Sequence, residues 1–315
     1  MKMNIKNKRV LVTGAAGLLG KQLVPILVSH GYQVTALDVR KVIFVSARSI
    51  QADFSDEKVM LPLLKNTDLV FHLAAEIGVD NCRLNPEKVI RVNFDDTKVF
   101  FENCINSGVK RIVFSSSSEV YGDSDDVPFK ENGKLSPYSI YGKNKVLIEN
   151  YLKELQANSN VTVGIVRFFN VYGPGQKDDF VVPIFINNCF ANLSITVHGD
   201  GQQTRCFTYV ADAAMGLFKM GLYESTKYEI VNIGRNVEYT MMDLAKSVKK
   251  AIPNSTSEII LQPYGLGGVR SSNMEVKRRV PSINKAKTLL GFEAITPLED
   301  GIRETVSHIM LNTSK

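Results

Sequence analysis

Short apolar runs alternate along the chain with longer stretches whose apolar residues recur every three or four positions. Arg9-Val10-Leu11-Val12-Thr13 is a continuous apolar run that stops at Gly14, and Leu23, Ile26 and Leu27 then recur at helical spacing up to His30-Gly31. Further runs fall at 33–37, 68–75, 111–114 and 161–168, with amphipathic helical patterns at 86–107 and 139–155. Asp56 is a suitable N-cap for a helix after Ala52-Asp53-Phe54-Ser55. Residues 41–50 show no period and read as a connection. Unbroken apolar strands separated by helices predict an α/β fold with a parallel, doubly wound sheet. Beyond residue 175 the elements shorten: a strand near 195–198, a helix over 211–222, a strand near 229–233 and a helix near 240–251. They predict a smaller C-terminal α/β lobe over the strand ends, where ligands of such sheets bind.

Composition narrows the class without changing this picture. At 315 residues and 44% hydrophobic, the chain can bury one large core and a smaller one. A net charge of +6 without a long basic run argues for a phosphorylated small molecule and against nucleic acid. Cys82, Cys104, Cys189 and Cys206 are scattered and lack metal-ligand spacing, so reduced thiols in a cytoplasmic protein are expected, with no metal. No segment has the length of a membrane span.

Candidate chemistry sits at the ends of the predicted strands. Gly14-Ala15-Ala16-Gly17-Leu18-Leu19-Gly20 between the first strand and its helix places backbone amides and a helix N-terminus where a pyrophosphate could lie. Asp38 ends the next strand, about twenty residues on, where a carboxylate binds ribose hydroxyls and repels a 2′-phosphate. NAD is favoured over NADP, although Arg40 stands nearby. The 111–114 run ends in Ser115-Ser116-Ser117-Ser118-Glu119, and Tyr141 and Lys145 lie one helical turn apart on one face. An ammonium beside a tyrosine favours the phenolate, and a serine at a strand end could bond the hydroxyl that such a base deprotonates. His72, inside an apolar run, reads as a packed core residue.

In order along the chain, the glycine motif, Asp38, Asp53-Phe54, His72-Leu73-Ala74-Ala75, Ser115–Gly122, Tyr141-x-x-x-Lys145, Arg167–Pro174 and Gly199-Asp200-Gly201-x-x-Thr204-Arg205 resemble the extended short-chain dehydrogenases/reductases of the NAD-dependent nucleotide-sugar epimerase/dehydratase type. The resemblance implies a Rossmann-type NAD domain over 1–174 carrying the catalytic Ser/Tyr/Lys, and a mainly nucleotide-sugar-binding lobe over 175–315, from which segments could return to the first sheet. It implies catalysis by Tyr141, Ser117 and Lys145, with Tyr141 taking the C4 hydroxyl proton as hydride passes to NAD. It assigns Gly14, Gly17, Leu18, Leu19, Gly20, Asp38, Asp53, Phe54, Leu73, Ala74, Ala75, Ser115, Tyr141, Lys145 and Phe168 to the cofactor. Ser117, Ser118, Asn170, Arg205 and Arg279 fall to the nucleotide-diphosphate sugar.

Glu119 matches an acid of the family's 4,6-dehydratases and UDP-glucuronate decarboxylases, whereas Ser118 departs from the aspartate of the dTDP-glucose dehydratases. Release of the 4-keto sugar or its epimerisation ranks ahead of dehydration, and decarboxylation comes last. A non-catalytic NAD-binding regulator is the alternative of another class. The helices at 86–107 and 139–155, with Phe100, Phe101, Ile105, Leu147 and Tyr151, imply a homodimer, although those side chains could equally be core.

Overall fold

The computed structural model describes residues 8–223, 227–264 and 276–313. The elements run β1 Arg9–Thr13, α1 Leu18–Ser29, β2 Gln33–Asp38, β3 Arg48–Gln51, α2 Glu57–Leu64, β4 Leu69–His72, α3 Val79–Leu84 and α4 Pro86–Ile90. A π-helical turn, Arg91–Asp96, leads into α5 Thr97–Asn106. Next come β5 Arg111–Ser117, a 3₁₀ turn Ser118–Tyr121, α6 Ile140–Ala157, β6 Thr162–Phe168, β7 Val171–Tyr172, α7 Val181–Phe190, β8 Ile195–His198, β9 Thr204–Arg205, β10 Thr208–Tyr209 and α8 Val210–Leu222. The chain closes with β11 Tyr228–Ile233, β12 Tyr239–Thr240, α9 Met241–Ala251, β13 Ile259–Gln262, β14 Arg278–Arg279, α10 Asn284–Leu290 and α11 Leu298–Thr313.

Seven strands form one sheet in the order β11-β6-β5-β4-β1-β2-β3, and every neighbouring pair is parallel. The sheet is buried on both faces, which is why β1, β4, β5 and β6 are apolar without alternation. One face packs α1 and α8 against Val12, Phe71 and Val166; the other packs α2, α5 and α6 against Leu11, Val70 and Ile112. Strand β11 and helix α8, both beyond residue 175, complete this core. A second core joins α7, α9 and α11 to β8 through Phe185, Ile186, Val197, Leu244 and Ile302.

Two local readings change. The connection over 41–50 ends in a strand, β3, at the sheet edge; with two of its four residues exposed, it lacks the apolar run that marks the inner strands. The helix over 86–107 is interrupted by its π turn. The extra residue there turns Asn93 inward, where its amide bonds both the N–H and the carbonyl of Glu76 at 2.8 Å and fixes the loop after β4. Phe100 and Phe101, weighed as interface residues, are core, at 1% and 0% exposure. The glycine-rich stretch 265–275 lies outside the described residues.

Candidate active site

The carboxyl ends of β1, β2, β4, β5 and β6 bring the candidate residues to one edge of the sheet. Gly14 has φ +70, and a Cβ there would stand 2.5 Å from the Ala74 nitrogen, so only glycine lets the β1 turn pass the backbone after β4. Gly20 presses equally close on Ala15, seating α1 against the turn. Gly17 caps α1 without any side-chain hydrogen bond, so the first-turn amides beside Leu18 and Leu19 keep their hydrogens for an anion. Asp38 is buried; its Oδ2 accepts from Ala16 N at 2.9 Å, and its Oδ1 from the Arg40 N–H and Nε. Arg40 therefore lies on Asp38 itself. An uncapped helix start, a cradle that a Cβ would fill and a carboxylate at the end of β2 fit the diphosphate and ribose of NAD.

Other predicted cofactor residues present backbone more than side chain. Phe54 is buried against His72 and Phe100, so its N–H and carbonyl are what remain for a ligand. Asp53 is exposed and accepts from the Ser55 N–H and hydroxyl at 2.9 Å. Leu73, Ala74 and Ala75 are half-buried along the loop after β4, and Phe168 ends β6 in the core. His72 bonds Thr13 at 2.9 Å and is enclosed by Phe54, Phe100, Phe101 and Phe114. Burial first, and the Lys145 charge second, push it down to about 3. It is a neutral core histidine.

Ser117, Glu119, Tyr141 and Lys145 converge. Ser139 caps α6 by accepting from Gly142 N at 2.9 Å, which starts the helix one residue before Tyr141. The same hydroxyl donates to Glu119 Oε2 in a short hydrogen bond. Ser117 ends β5, accepts from Glu119 N at 3.2 Å and lies near enough to Tyr141 to favour its phenolate. Lys145 is buried; its Nζ donates to the Ser115 carbonyl at 2.7 Å and lies 5.3 Å from the Tyr141 ring centroid. Burial pulls it down to about 7 against the opposing charge of Glu149. Burial also raises Tyr141 well above an ordinary phenol; the Glu119 and Cys82 charges add to this, and Ser117 opposes it. The spacing of Tyr141 and Lys145 in the sequence gives the leading part to the lysine charge. In the folded chain desolvation sets the direction, and Ser117 rather than the lysine opposes it. Ser118, in the 3₁₀ turn after β5, is buried at 2% exposure.

The predicted phosphate arginines meet on neighbouring strands. Arg205 and Arg279 are register partners in the parallel β9–β14 pair, which places their side chains on one face. Arg205 donates to the Thr204 and Val276 carbonyls, while Arg279 Nε is buried with no partner among the described residues. Asn170, at φ 38 after β6, has a buried and equally unpartnered Oδ1. Two guanidiniums side by side, one with an unpartnered buried Nε–H, suit an anion. The segment around β14 reaches the loop after the 3₁₀ turn: Lys277 N donates to Asp123, and Phe129 pairs with Val280 and Ser282.

Sequence reasoning missed Ser139, Cys82 and the buried pair Glu149–Arg167. Ser139 carried a legible signal, a serine directly before a helical pattern. The other contacts join residues too distant in sequence for any periodicity to connect.

The family model described as "NAD dependent epimerase/dehydratase family" matches residues 10–234. UDP-N-acetyl-alpha-D-glucosaminuronate decarboxylase of Bacillus cytotoxicus is 32% identical over 95% of this chain and 97% of its own. The structure of MoeE5 in complex with UDP-glucuronic acid and NAD matches at 30% identity and a TM-score of 0.87, over 96% of this chain and 99% of that one. UDP-glucose 4-epimerase of Thermotoga maritima, solved with UDP-glucose, matches at 29% identity and a TM-score of 0.87, over 97% and 99% of the two chains. With the glycine cradle, Asp38 and the Ser117–Tyr141–Lys145 cluster, these matches establish that the chain belongs to the NAD-dependent epimerase/dehydratase family of enzymes.

Proposed function

We propose that this enzyme oxidises C4 of a nucleotide-diphosphate sugar, and the observation carrying this reading is the convergence of Ser117 at the end of β5 with Tyr141 and buried Lys145, whose Nζ lies 5.3 Å from the Tyr141 ring centroid. Tyr141 takes the proton of the C4 hydroxyl. Ser117 bonds the same oxygen and is the contact that favours the tyrosinate against burial. NAD, bound between the glycine turn and the strand ends, supplies the hydride acceptor for the C4 hydrogen. Lys145 holds the ribose hydroxyls, with Asp38 and the amides after Gly17 fixing the adenosine side and the diphosphate. Arg205, Arg279 and Asn170 receive the diphosphate of the sugar nucleotide.

Glu119 bears on the fate of the 4-keto sugar. A 4-ketone acidifies the hydrogen at C5 and accepts the electron pair left when a C6 carboxylate departs as carbon dioxide. In the second case C5 must then take up a proton. Glu119 faces Tyr141, and its charge disfavours the tyrosinate. Tyr141 is then the base at O4 and Glu119 serves C5: it delivers the proton there after carbon dioxide leaves, or in dehydration takes the C5 proton on one oxygen and passes a proton to the departing C6 hydroxyl. Simple re-reduction needs no such acid. The reading therefore moves decarboxylation or dehydration ahead of epimerisation, the reverse of the order taken from sequence, and the similarity to a uronate decarboxylase supports it. Epimerisation stays the second reading, supported by the likeness to the Thermotoga enzyme.

The test is incubation with NAD and a panel of nucleotide sugars that includes uronates, tracking NADH absorbance and product mass. Loss of carbon dioxide or of water is the expected result. Unchanged mass with a new C4 epimer would overturn the part given to Glu119. No reaction with any sugar while NAD is bound would sink the whole reading in favour of a non-catalytic regulator. The exposed Ile90, Val99 and Leu147, on the helices flanking the π turn and on α6, are the face through which we place a homodimer; a monomer in light scattering would remove it.

A further inference from the structure

Beneath the cleft lies a continuous buried polar chain that the proposed C4 oxidation does not use. Glu149 sits one helical turn beyond Lys145 on α6, and both are buried, at 2% and 3% exposure. Its Oε1 accepts from Ser116 Oγ at 2.5 Å and from Arg167 Nε at 3.0 Å; its Oε2 accepts from Arg167 Nη2 at 2.6 Å. Arg167 Nη1 donates to the Tyr121 hydroxyl and to the Glu131 carbonyl, both at 2.9 Å. Tyr121 donates in turn to Asn232 Oδ1 at 2.7 Å.

Three strands and two helical segments thus supply one network, and Ser116 and Arg167 are themselves register partners across β5 and β6. A buried ion pair is costly to assemble and rarely adds net stability, so its presence here calls for a reason other than stability. Its position supplies one. The group that it faces along α6 is Lys145, the cation with the most demanding placement in the site.

The surroundings of Lys145 are countable. From β5 come the Ser115 carbonyl and the Phe114 ring, the latter centred 4.5 Å from Nζ. From β4 comes His72, neutral at any working pH. From α6 come Tyr141 and Glu149, and from β6 comes Arg167, turned onto Glu149. Among these, Glu149 is the only anion that supports the ammonium against burial.

We propose that Glu149, oriented by Arg167 and Ser116, is a positioning residue that keeps Lys145 charged and aimed at the cofactor ribose and Tyr141, with Arg167 setting how much of its charge Lys145 feels. The inference rests on the role that the proposed function gives Lys145. It adds that the proton of Lys145 is governed from below, by the ion pair.

Two neutral variants pull in opposite directions. Glu149→Gln removes the counter-charge and leaves Arg167 alone, so Lys145 loses its proton at lower pH. Arg167→Met frees the carboxylate toward Lys145, which then holds its proton to higher pH. The readout is the ¹³Cε chemical shift of Lys145 titrated with pH, assigned by its disappearance in Lys145→Met, together with NAD affinity at each pH by intrinsic fluorescence. A shift of about one pH unit or more is expected in each, down for Glu149→Gln and up for Arg167→Met. The alkaline limb of the turnover profile should move in the same two directions.

A purely structural pair would lower stability in both variants without opposite shifts, and that result overturns the proposal. Should either single variant fail to fold, Glu149→Gln/Arg167→Met removes the pair as a neutral unit, which buried sites tolerate. In that double variant Lys145 should still titrate at lower pH than in wild type, and an unmoved titration would refute the coupling. Neither the Lys145 titration nor NAD binding needs a sugar substrate, so an enzyme that oxidises none of the sugars tried would sink the function and leave this test standing.

Discussion

At the Tyr141 end of the cleft the polar groups are already held by the chain. Ser139 holds Glu119, the Ser115 carbonyl holds Lys145, and Ser116 with Arg167 holds Glu149. At the arginine end the reverse is true. Arg279 Nε, Asn170 Oδ1 and Gln203 Oε1 are buried without partners among the described residues, and Arg205 lies beside Arg279 in register. The first end is organised before a ligand binds, as stabilising a transition state requires. The second keeps buried polar atoms open. Under the proposed roles, catalysis at the first end and sugar-nucleotide binding at the second, mutations should separate the two.

The largest separation is expected from Tyr141→Phe. Loss of the proposed base should lower turnover by about 10²–10⁴-fold, while NAD binding and thermal stability stay near wild type, because the phenyl ring keeps its packing. Steady-state kinetics and a melting curve check this. Turnover within tenfold of wild type would mean that the organised end is not where the chemistry happens.

Arg279→Leu addresses the other end. An arginine–phosphate hydrogen bond contributes about 1.5–3 kcal/mol, so KM for the sugar nucleotide should rise roughly ten- to a hundredfold while kcat changes little. Without ligand the melting temperature should hold or rise, since two like charges no longer face each other across β9 and β14. The stabilisation conferred by a nucleotide sugar should fall. A drop in ligand-free stability would show that the arginine is already satisfied, and would erase the contrast.

Acid stability probes the organised end from within its core. His72 is held neutral, down at about 3 against an ordinary 6.5, so below pH 6.5 the unfolded chain binds a proton that the folded chain refuses. That contribution is complete above pH 6.5 and is lost as pH falls toward 3, at up to about 1.4 kcal/mol per pH unit. Urea unfolding across that window should show a shallower pH slope in His72→Asn than in wild type. An equal slope would mean that His72 is protonated in the fold.

How much of this was legible depends on how far each contact reaches along the chain. The glycine turn, Asp38 and the helical pairing of Tyr141 with Lys145 are local patterns, and the chain folds them as read. The inner strands were legible because burial on both faces writes an unbroken apolar run; β3 was missed because edge burial writes none. Phe54 carries a motif identity, but its ring packs against His72 and Phe100 and leaves only backbone for a ligand, which a motif does not encode. Arg167 and Glu149 looked like a strand residue and a helix residue. Only the β5–β6 register and the packing of α6 against those strands make them partners.

The smallest effect falls on Ser139, the residue that belongs to local structure and chemistry at once. Ser139→Ala removes an N-cap and should destabilise the fold by about 1 kcal/mol. It also releases Glu119 from its hydroxyl donor. Ser139→Asp separates these effects, because aspartate caps a helix as well as serine does but sets a second carboxylate against Glu119. If Glu119 acts only after C4 oxidation, the alanine variant should slow product formation more than substrate-dependent NADH appearance in a single turnover. The aspartate variant should recover the stability without recovering the product rate. Equal slowing of both steps in both variants would mean that Ser139 serves the helix alone, and that Glu119 is held in place by something other than its short hydrogen bond.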